Sequence, residues 1–335
     1  MRRGLPALAV LVALALPAHA AAQGPVPTPT PTPVPPAPTP TPAPAKGKLT
    51  LSSQGTFARH KAALKGHAFI VRGVLRPYVA GEPVVVRVYR NGRRIEARKL
   101  IPAPVTGGAA GVFTLKVGTP KTGRLAVRAT HQASPLLATV RSNTLRVQVY
   151  SPAVAPGRRG PVVTLLQTLL GKLHYAVPHT GVYDFGTQRA VLAWRKMAGA
   201  TRNSVANSLV FGGLLKGKGA WHVRHPLDGR HVEARLGRQL LALIDGSNVV
   251  AIYHTSSGKP STPTVRGRFR VYRKDLGTNA EGMVDANYFI GGYAIHGYAD
   301  VPPYNASHGC LRVPIPDARR IYDWLSIGDV VWVEE

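Results

Sequence analysis

Alternation of apolar and polar residues marks the part of the chain between residues 47 and 150. Val84 to Tyr89 runs into Asn91-Gly92, a pair typical of a tight hairpin turn, and a second strand follows from Arg94. The same alternation recurs in three later segments, at Phe113, Leu115 and Val117, at Leu125, Val127 and Ala129, and at Leu145, Val147 and Val149. Short strands at this spacing, separated by Gly/Pro clusters, predict an all-β sandwich.

A helical period replaces the alternation between residues 151 and 217. Apolar residues line one side of a first helix at Val162, Val163, Leu165, Leu166, Leu169, Leu170 and Leu173. After a turn through Gly181 and Asp184, Thr187 is expected to cap a second helix that carries Ala190, Val191 and Trp194. This pattern predicts a small α-helical domain.

The last segment, residues 218–335, returns to strands. The predicted strands are Val232 to Leu236, Gln239 to Ile244, Val249 to Ser256, Phe269 to Tyr272, Gly292 to His296 and Val330 to Val333. One helix is expected from Asp317 to Leu325, because Pro316-Asp317 is typical of a helix start. We therefore expect a compact β-rich domain with one packed helix.

The N-terminus has the pattern of an export signal. Met1-Arg2-Arg3 is positively charged, Leu5 to Pro17 is apolar, and Ala18-His19-Ala20 fits a signal peptidase site, so residues 1–22 are predicted to be a signal peptide. The apolar run is shorter than the roughly 20 residues needed to span a bilayer. A lipoprotein anchor is not expected, because Cys310 is the only cysteine. The mature protein is predicted to be exported to the cell wall, the periplasm or the extracellular space.

Residues 23–46 are a Pro/Thr-rich segment, "PVPTPTPTPVPPAPTPTPAPAK" from Pro25 on. Such a sequence favours extended polyproline II, and it fits a stiff spacer and a passive solvated tail equally well.

Charge suggests a polyanionic partner. The 335 residues contain 43 Lys and Arg but 15 Asp and Glu, a formal net charge of +28. Composition alone would point first to nucleic acid. The predicted signal peptide redirects this expectation to anionic wall polymers and lipid headgroups, and it excludes nucleic acid and a membrane-spanning protein from the prediction.

Cys310 is the candidate nucleophile. A thiol reacts as the thiolate, which a nearby histidine favours, and both His296 and His308 lie close in sequence. His308 is two residues away on a tight turn, so the more distant His296 is the better candidate base. Gly309 permits a tight turn whose amides can stabilise an oxyanion. A buried structural thiol and a zinc site of His296, His308 and Cys310 are the alternatives, although zinc lacks a fourth ligand.

The segment "YAIHGYADVPPYNASHGCLRVP" resembles the active-site signature of the YkuD-like L,D-transpeptidases. Thr262-Pro263-Thr264, Gly267 and Phe269 resemble a second motif of that family. The resemblance implies that Cys310 is the nucleophile and His296 the acid/base, oriented by the carbonyl of Gly297. It implies further that Ser307, His308 and Gly309 shape the turn and the oxyanion site. Arg312 is a candidate ligand for a substrate carboxylate, and Ser307, His308, Tyr304 and Asn305 complete the predicted substrate-binding set.

The two upstream domains have weaker resemblances. Residues 47–150 resemble an immunoglobulin-like domain in pattern. Residues 151–217 resemble a peptidoglycan-binding helical module, with matches at Gly160, Val163, Leu166-Gln167, Leu170, Gly181, Asp184, Gly186-Thr187 and Ala190-Val191. Trp194-Arg195 departs from that module's usual Phe-Gln.

The resemblance implies peptidoglycan stem peptides as donor and acceptor, a Cys thioester intermediate, 3→3 cross-links, and no cofactor or metal. Hydrolysis of the same stems as an L,D-carboxypeptidase or endopeptidase is one alternative. A non-enzymatic wall-binding protein is the other.

Overall fold

The computed structural model describes Gly24 and residues 42–58 and 61–335. The predicted signal peptide lies outside these residues, and so does most of the Pro/Thr-rich segment. Ala45, at the described end of that segment, pairs with the backbone on either side of Leu137. For clarity we call residues 47–150 the sandwich region, 151–217 the helical region and 218–335 the catalytic region.

The sandwich region forms two sheets because its strands alternate apolar and polar residues, and each sheet turns one apolar face inward. Its strands are β1 (Lys48–Gln54), β2 (Ala62–Leu64), β3 (Ala68–Arg76), β4 (Val84–Arg90), β5 (Arg93–Leu100), β6 (Ala103–Pro104), β7 (Gly111–Gly118), β8 (Gly123–His131), β9 (Val140–Arg141) and β10 (Leu145–Tyr150). One sheet has the order β1-β3-β7-β6, and the other has β2-β10-β8-β4-β5, with β9 paired to β8. Asn91 and Gly92 both have positive φ, as the predicted hairpin turn between β4 and β5 requires.

The helical region contains three helices. They are α1 (Pro161–Lys172), α2 (Phe185–Met197) and α3 (Ser208–Leu215). The expectation that Thr187 caps the second helix was wrong. Asp184 is the cap, since its carboxylate accepts the Thr187 amide at 2.8 Å, and Thr187 lies in the first turn.

Helix α3 was not predicted, because two glycines interrupt its short apolar sequence. One of these glycines, Gly213, has a packing reason. A Cβ on Gly213 would come within 2.4 Å of the Trp194 indole, so the close approach of α3 to α2 requires glycine there.

The catalytic region has two sheets and one helix. Its elements are β11 (Arg230–Arg235), β12 (Leu240–Asp245), β13 (Asn248–His254), β14 (Gly267–Arg270), β15 (Arg273–Thr278), β16 (Val284–Ile290), β17 (Tyr293–Tyr298), β18 (Leu311–Pro314), α4 (Ile315–Trp324) and β19 (Val330–Glu334). The first sheet has the order β13-β12-β11-β19-β14, and the second has β15-β16-β17-β18. The β-rich architecture with one packed helix agrees with the sequence prediction, whereas β15, β16 and β18 were not predicted.

Strand β12 joins the helical and catalytic regions. Leu240, Ala242 and Ile244 belong to one apolar core with the three helices, while Leu241 and Leu243 belong to the core that contains α4. At the edge of the same sheet, the backbone of residues 174–176 hydrogen-bonds to Ile252 of β13. Residues Ala43–Glu335 form one compact unit as a result. None of the helices in the described part of the chain has the length and apolar character needed to span a bilayer.

Candidate active site

Cys310 lies at the start of a strand beside His296. Strands β17 and β18 pair in parallel, with Ile295 opposite Leu311 and His296 opposite Arg312. Because Cys310 immediately precedes β18, this register brings it next to the strand that carries His296. The loop of residues 299–309 connects the two strands, as the sequence interval between the two residues predicts.

A hydrogen-bonded turn presents the cysteine. The Ser307 hydroxyl donates to the Cys310 carbonyl at 2.6 Å and accepts the Gly309 amide at 3.1 Å. Gly309 has a φ of 125°, and a Cβ there would come within 2.4 Å of the Tyr293 ring. Glycine is therefore required both by the backbone conformation and by the packed tyrosine.

One of the amides predicted to stabilise an oxyanion is already used within the turn. The Gly309 amide already donates to Ser307, so it is not directed at a substrate oxygen. In the described part of the chain, the amides of His308 and Cys310 donate no hydrogen bond to protein atoms. An oxyanion site at this turn consequently depends on these two amides rather than on Gly309.

The Cys310 thiol forms its hydrogen bonds with uncharged backbone groups. Its sulfur accepts the Ala294 amide at 3.4 Å and lies 3.8 Å from the Gly292 carbonyl, to which it donates. Burial raises the pKa of Cys310, and the Ala294 amide and the charge of Arg312 offset this rise only in part. The expectation from sequence was a histidine that lowers this pKa. Among the described residues no hydrogen bond joins His296 to the sulfur, and the thiol is protonated at rest.

His296 is buried and has one ring nitrogen fixed. Its Nδ1 lies 2.9 Å from the Gly297 carbonyl, which can only accept, so Nδ1 carries a proton and Nε2 is the basic nitrogen. Burial lowers the pKa of His296 to about 4; the Gly297 carbonyl opposes this shift and the charge of Arg312 adds to it. His296 is therefore neutral near pH 7 and able to accept a proton. The predicted contact with the Gly297 carbonyl is present in the structure.

Gly297 is also fixed by packing. A Cβ on Gly297 would come within 2.8 Å of the Ala318 side chain, so α4 can lie against β17 only because the residue is glycine. Helix α4 thus holds the strand whose carbonyl orients His296.

Some of the predicted site residues line a cavity of about 490 Å³, and others lie outside it. Its lining is Arg273, Glu281, Met283, Tyr288, Gly292, Tyr293, His296, Tyr298, Ser307, His308, Cys310 and Arg312. Tyr304 and Asn305 do not line it: Tyr304 is exposed, and the Asn305 side chain donates to the Gly258 carbonyl at 3.3 Å. Ser307 reaches the cavity, but its hydroxyl is engaged within the turn.

Two basic side chains flank the cysteine. The Arg312 guanidinium stacks 4.0 Å from the centre of the Tyr298 ring. His308 is exposed, and its Nε2 lies 3.2 Å from the ammonium of Lys259. Arg312 gives the cavity positive charge, which suits a carboxylate ligand.

Several residues of the cavity were missed by the sequence reasoning. Tyr288 stacks under the Arg273 guanidinium at 3.8 Å, and Tyr293 packs on Gly309. Arg273 and Tyr288 lie on β15 and β16, which the apolar pattern did not reveal. Tyr293 is the first residue of the signature segment, so its position in that motif could have identified it as a site residue.

No set of three or more His, Cys, Asp or Glu side chains within residues 42–58 and 61–335 is placed to hold a metal ion. His308 faces Lys259, a cation, which disfavours a metal bound by His296, His308 and Cys310. That no metal or cofactor takes part stays a prediction.

Comparisons with known proteins identify the catalytic region. The model of the YkuD family, the L,D-transpeptidase catalytic domain, matches residues 229–333. The structure of an L,D-transpeptidase fragment (residues 123–326) from Xylanimonas cellulosilytica is similar with 32% identity and a TM-score of 0.51, over 55% of this chain and 98% of that one. An L,D-transpeptidase structure from Stackebrandtia nassauensis is 19% identical with a TM-score of 0.35, over 55% and 96%. No curated protein matches the chain.

The match to the Xylanimonas protein extends beyond the residues of the family model, since 55% of this chain is longer than residues 229–333. The residues that form the cavity around Cys310 fall within the matched catalytic domain. The chain therefore belongs to the L,D-transpeptidase family.

Proposed function

We propose that the protein is a peptidoglycan L,D-transpeptidase that forms 3→3 cross-links through a thioester on Cys310. The observation that carries this proposal is the pairing of a protonated thiol with a neutral histidine whose Nδ1 is fixed. Cys310 and His296 line one cavity, and the Gly297 carbonyl leaves Nε2 of His296 as the nitrogen that accepts a proton.

In the acylation half, His296 Nε2 takes the thiol proton and the sulfur attacks the carbonyl before the terminal D-alanine of a tetrapeptide stem. The amides of His308 and Cys310 stabilise the oxyanion. The C–N bond breaks, and His296 returns the proton to the leaving D-alanine amine. A thioester remains on Cys310.

In the second half, the side-chain amine of another stem attacks the thioester and passes a proton to His296. The C–S bond breaks, the sulfur regains the proton, and an amide cross-link remains. Water in place of this amine would give the carboxypeptidase or endopeptidase reaction.

Arg312 supports this substrate class. A tetrapeptide stem ends in a carboxylate beside the bond that breaks, and Arg312 lines the cavity beside Cys310 with a positive charge. Its stacking on Tyr298 fixes the guanidinium plane, which favours a directed contact with a carboxylate.

We propose that the protein acts in the cell wall after export, and that its net charge of +28 retains it on anionic wall polymers. Such retention weakens as salt rises. The family's action on peptidoglycan and the N-terminal sequence pattern support this location.

The decisive experiment is incubation of the protein with a tetrapeptide stem, with and without an amine acceptor, followed by mass spectrometry. We expect an adduct on Cys310 that lacks D-alanine, and a cross-linked dimer when the acceptor is present. A free tripeptide in both reactions would favour hydrolysis, and no adduct at all would favour the wall-binding alternative.

Matched histidine variants test the role of each group. His296→Gln should slow formation of the adduct by about 10²–10⁴-fold, the usual contribution of a general base. His308→Gln should slow it less, since His308 is exposed and bound to Lys259. Cys310→Ala should abolish the adduct. The opposite order of the two histidines would exchange their roles.

A further inference from the structure

Lys196 is a buried lysine that reaches from the helical region into the catalytic region. It lies near the end of α2, and 1% of its surface is exposed. Its ammonium is 3.0 Å from the Gln239 carbonyl, 3.0 Å from the Thr255 carbonyl and 2.6 Å from Nδ1 of His254. All three acceptors belong to the catalytic region.

The partners of His254 determine which group donates and which accepts in each of these hydrogen bonds. Nε2 of His254 lies 2.9 Å from the Val301 carbonyl, which can only accept, so Nε2 carries a proton. Nδ1 of a neutral His254 must then accept from Lys196. An ammonium has three protons, and all three are used.

A neutral amine has two N–H groups, so loss of the ammonium proton would leave one of the three acceptors without its donor. Burial and the nearby charge of Arg202 lower the pKa of Lys196 to about 6. Burial and the charge of Lys196 lower the pKa of His254 to about 3, so His254 does not take the proton in its place. The three hydrogen bonds of Lys196 act against loss of its proton.

The network ends on the loop that joins the two reactive residues. Val301 lies in residues 299–309, between His296 and Cys310. Arg202 of the helical region binds the same loop directly, since it donates to the Pro303 carbonyl at 3.0 Å and to the Gly237 carbonyl at 2.8 Å. Val301 is thus held by His254, which Lys196 supports, and Pro303 is held by Arg202 itself.

The remainder of the loop is held from the catalytic region. The Ser256 hydroxyl donates to the Tyr304 carbonyl at 2.6 Å, and the amides of Ala306 and Ser307 both donate to the Ser257 carbonyl. The loop therefore has two sets of anchors, and the set nearer to His296 depends on the helical region: His254 is held by Lys196 of α2, and Pro303 is held by Arg202.

We propose that the helical region positions the loop between His296 and Cys310, and that Lys196 is a positioning residue acting through His254. This role rests on the proposed function only in that Cys310 and His296 are the reactive groups. It gives the helical region a task within the catalytic unit that requires no glycan binding.

The first test measures hydrogen exchange of residues 299–306 in the full chain by mass spectrometry. Lys196→Met removes the ammonium and retains the length of the side chain. Lys216→Met is the matched control, since Lys216 is exposed at the end of α3. We expect exchange of the loop to be at least about tenfold faster in Lys196→Met, with β12 still protected, and unchanged in the control.

A milder variant keeps the test informative if a buried methionine unfolds the chain. Arg202→Gln alters an exposed side chain and removes the Pro303 anchor together with the bond to Gly237, while the Val301 anchor stays, so loop exchange should rise by a smaller factor. Unchanged loop exchange in either variant that folds overturns the proposal. So does faster exchange spread evenly over β12 and the loop, which would show a loss of stability alone.

The second test uses the kinetics of the acyl adduct. Arg273, Met283, Tyr288 and Tyr293 build much of the cavity and lie outside the loop. Lys196→Met should therefore lower kcat about tenfold and change KM little, because misplaced reactive groups slow the chemical step. A change confined to KM contradicts the positioning role. An inactive wild-type protein would contradict the proposed function and leave the exchange result intact.

Discussion

The sandwich region and the first sheet of the catalytic region bury apolar residues in two different ways. Strand β8 alternates, with Leu125, Val127 and Ala129 inside and the residues between them outward. Strand β12 has five consecutive buried residues, Leu240 to Ile244. The difference arises because one face of β8 meets solvent, whereas β12 is covered on one side by the helical region and on the other by the core around α4.

This difference has a functional consequence. Each side of β12 supports a different polar group at its edge: the buried amino group of Lys196 on the helical side, and the pair of His296 and Cys310 beyond the α4 side. Neither side of the sheet can shift without opening a packed core.

The largest difference in stability between the two regions is expected when a lysine is introduced into each of them. Ala242→Lys places an ammonium between β12 and the helices, where Ala242 has no exposed surface. We expect a loss of more than about 4 kcal/mol in the free energy of unfolding, or no folding at all. Ala126→Lys, at an outward position of β8, should change it by no more than about 0.5 kcal/mol.

Urea unfolding of both variants measures the difference. Comparable losses of stability in the two variants would mean that the outer face of β8 is covered in the same way as β12. The two regions would then not differ in how they bury apolar residues.

The second prediction concerns a buried carboxylate beside the same sheet. Glu233 on β11 is fully buried and accepts the Trp221 indole at 2.8 Å and the amides of Arg224 and His225 at 2.6 and 2.9 Å. Glu233→Gln replaces one acceptor oxygen by a donor group, so at least one of these donors loses its partner. We expect a loss of about 2–4 kcal/mol in the free energy of unfolding.

The dependence of stability on pH shows how much of this contribution comes from the charge of Glu233 and how much from its packing. Burial raises the pKa of Glu233, but the nearby His231 ring and the hydrogen bonds from Trp221 and the two amides lower it more, to about 2, against an ordinary value of 4.5. The stabilisation is therefore complete above about pH 4.5 and is lost as the pH falls towards 2. Glu233→Gln should lack this part of the acid dependence, and an unchanged profile between pH 4.5 and 2.5 would assign the acid sensitivity to other groups.

The same contrast explains which parts of the fold were predictable. Alternation revealed β4, β7, β8 and β10 because one face of each is solvated, whereas β1, β2, β3, β6 and β9 were not singled out. The apolar run of β12 was predicted as a strand, but not that helices would cover one of its faces. Strands β15 and β16 escaped prediction because polar residues such as Arg273, Asp275 and Asn287 interrupt their apolar period. Helix α3 escaped because two glycines interrupt it, of which Gly213 serves packing against Trp194.

The candidate site divides in a similar way. The motif around Cys310 identified the residues held by local geometry, such as the turn of Ser307 and the contact of His296 with Gly297. Lys196 and His254 were not singled out, because they lie far from the motif in sequence and meet only through the interface of two regions. Tyr304 and Asn305 were included because they are adjacent in sequence, and the loop directs them away from the cavity.

The last prediction sharpens the contrast between the two sides of the sheet by testing whether Cys310 and His296 are uncharged at rest. Burial raises the pKa of Cys310 and lowers that of His296 to about 4, so both are neutral near pH 7. The alkylation rate of Cys310 by iodoacetamide should rise about tenfold per pH unit from pH 6 to 8, since the thiolate is the reactive form. N-acetylcysteine in the same buffers is the reference thiol, and its rate should level off at a lower pH than that of Cys310. A rate that stays constant between pH 5 and 8 would show a thiolate–imidazolium pair, and Cys310 and His296 would then both be charged at rest.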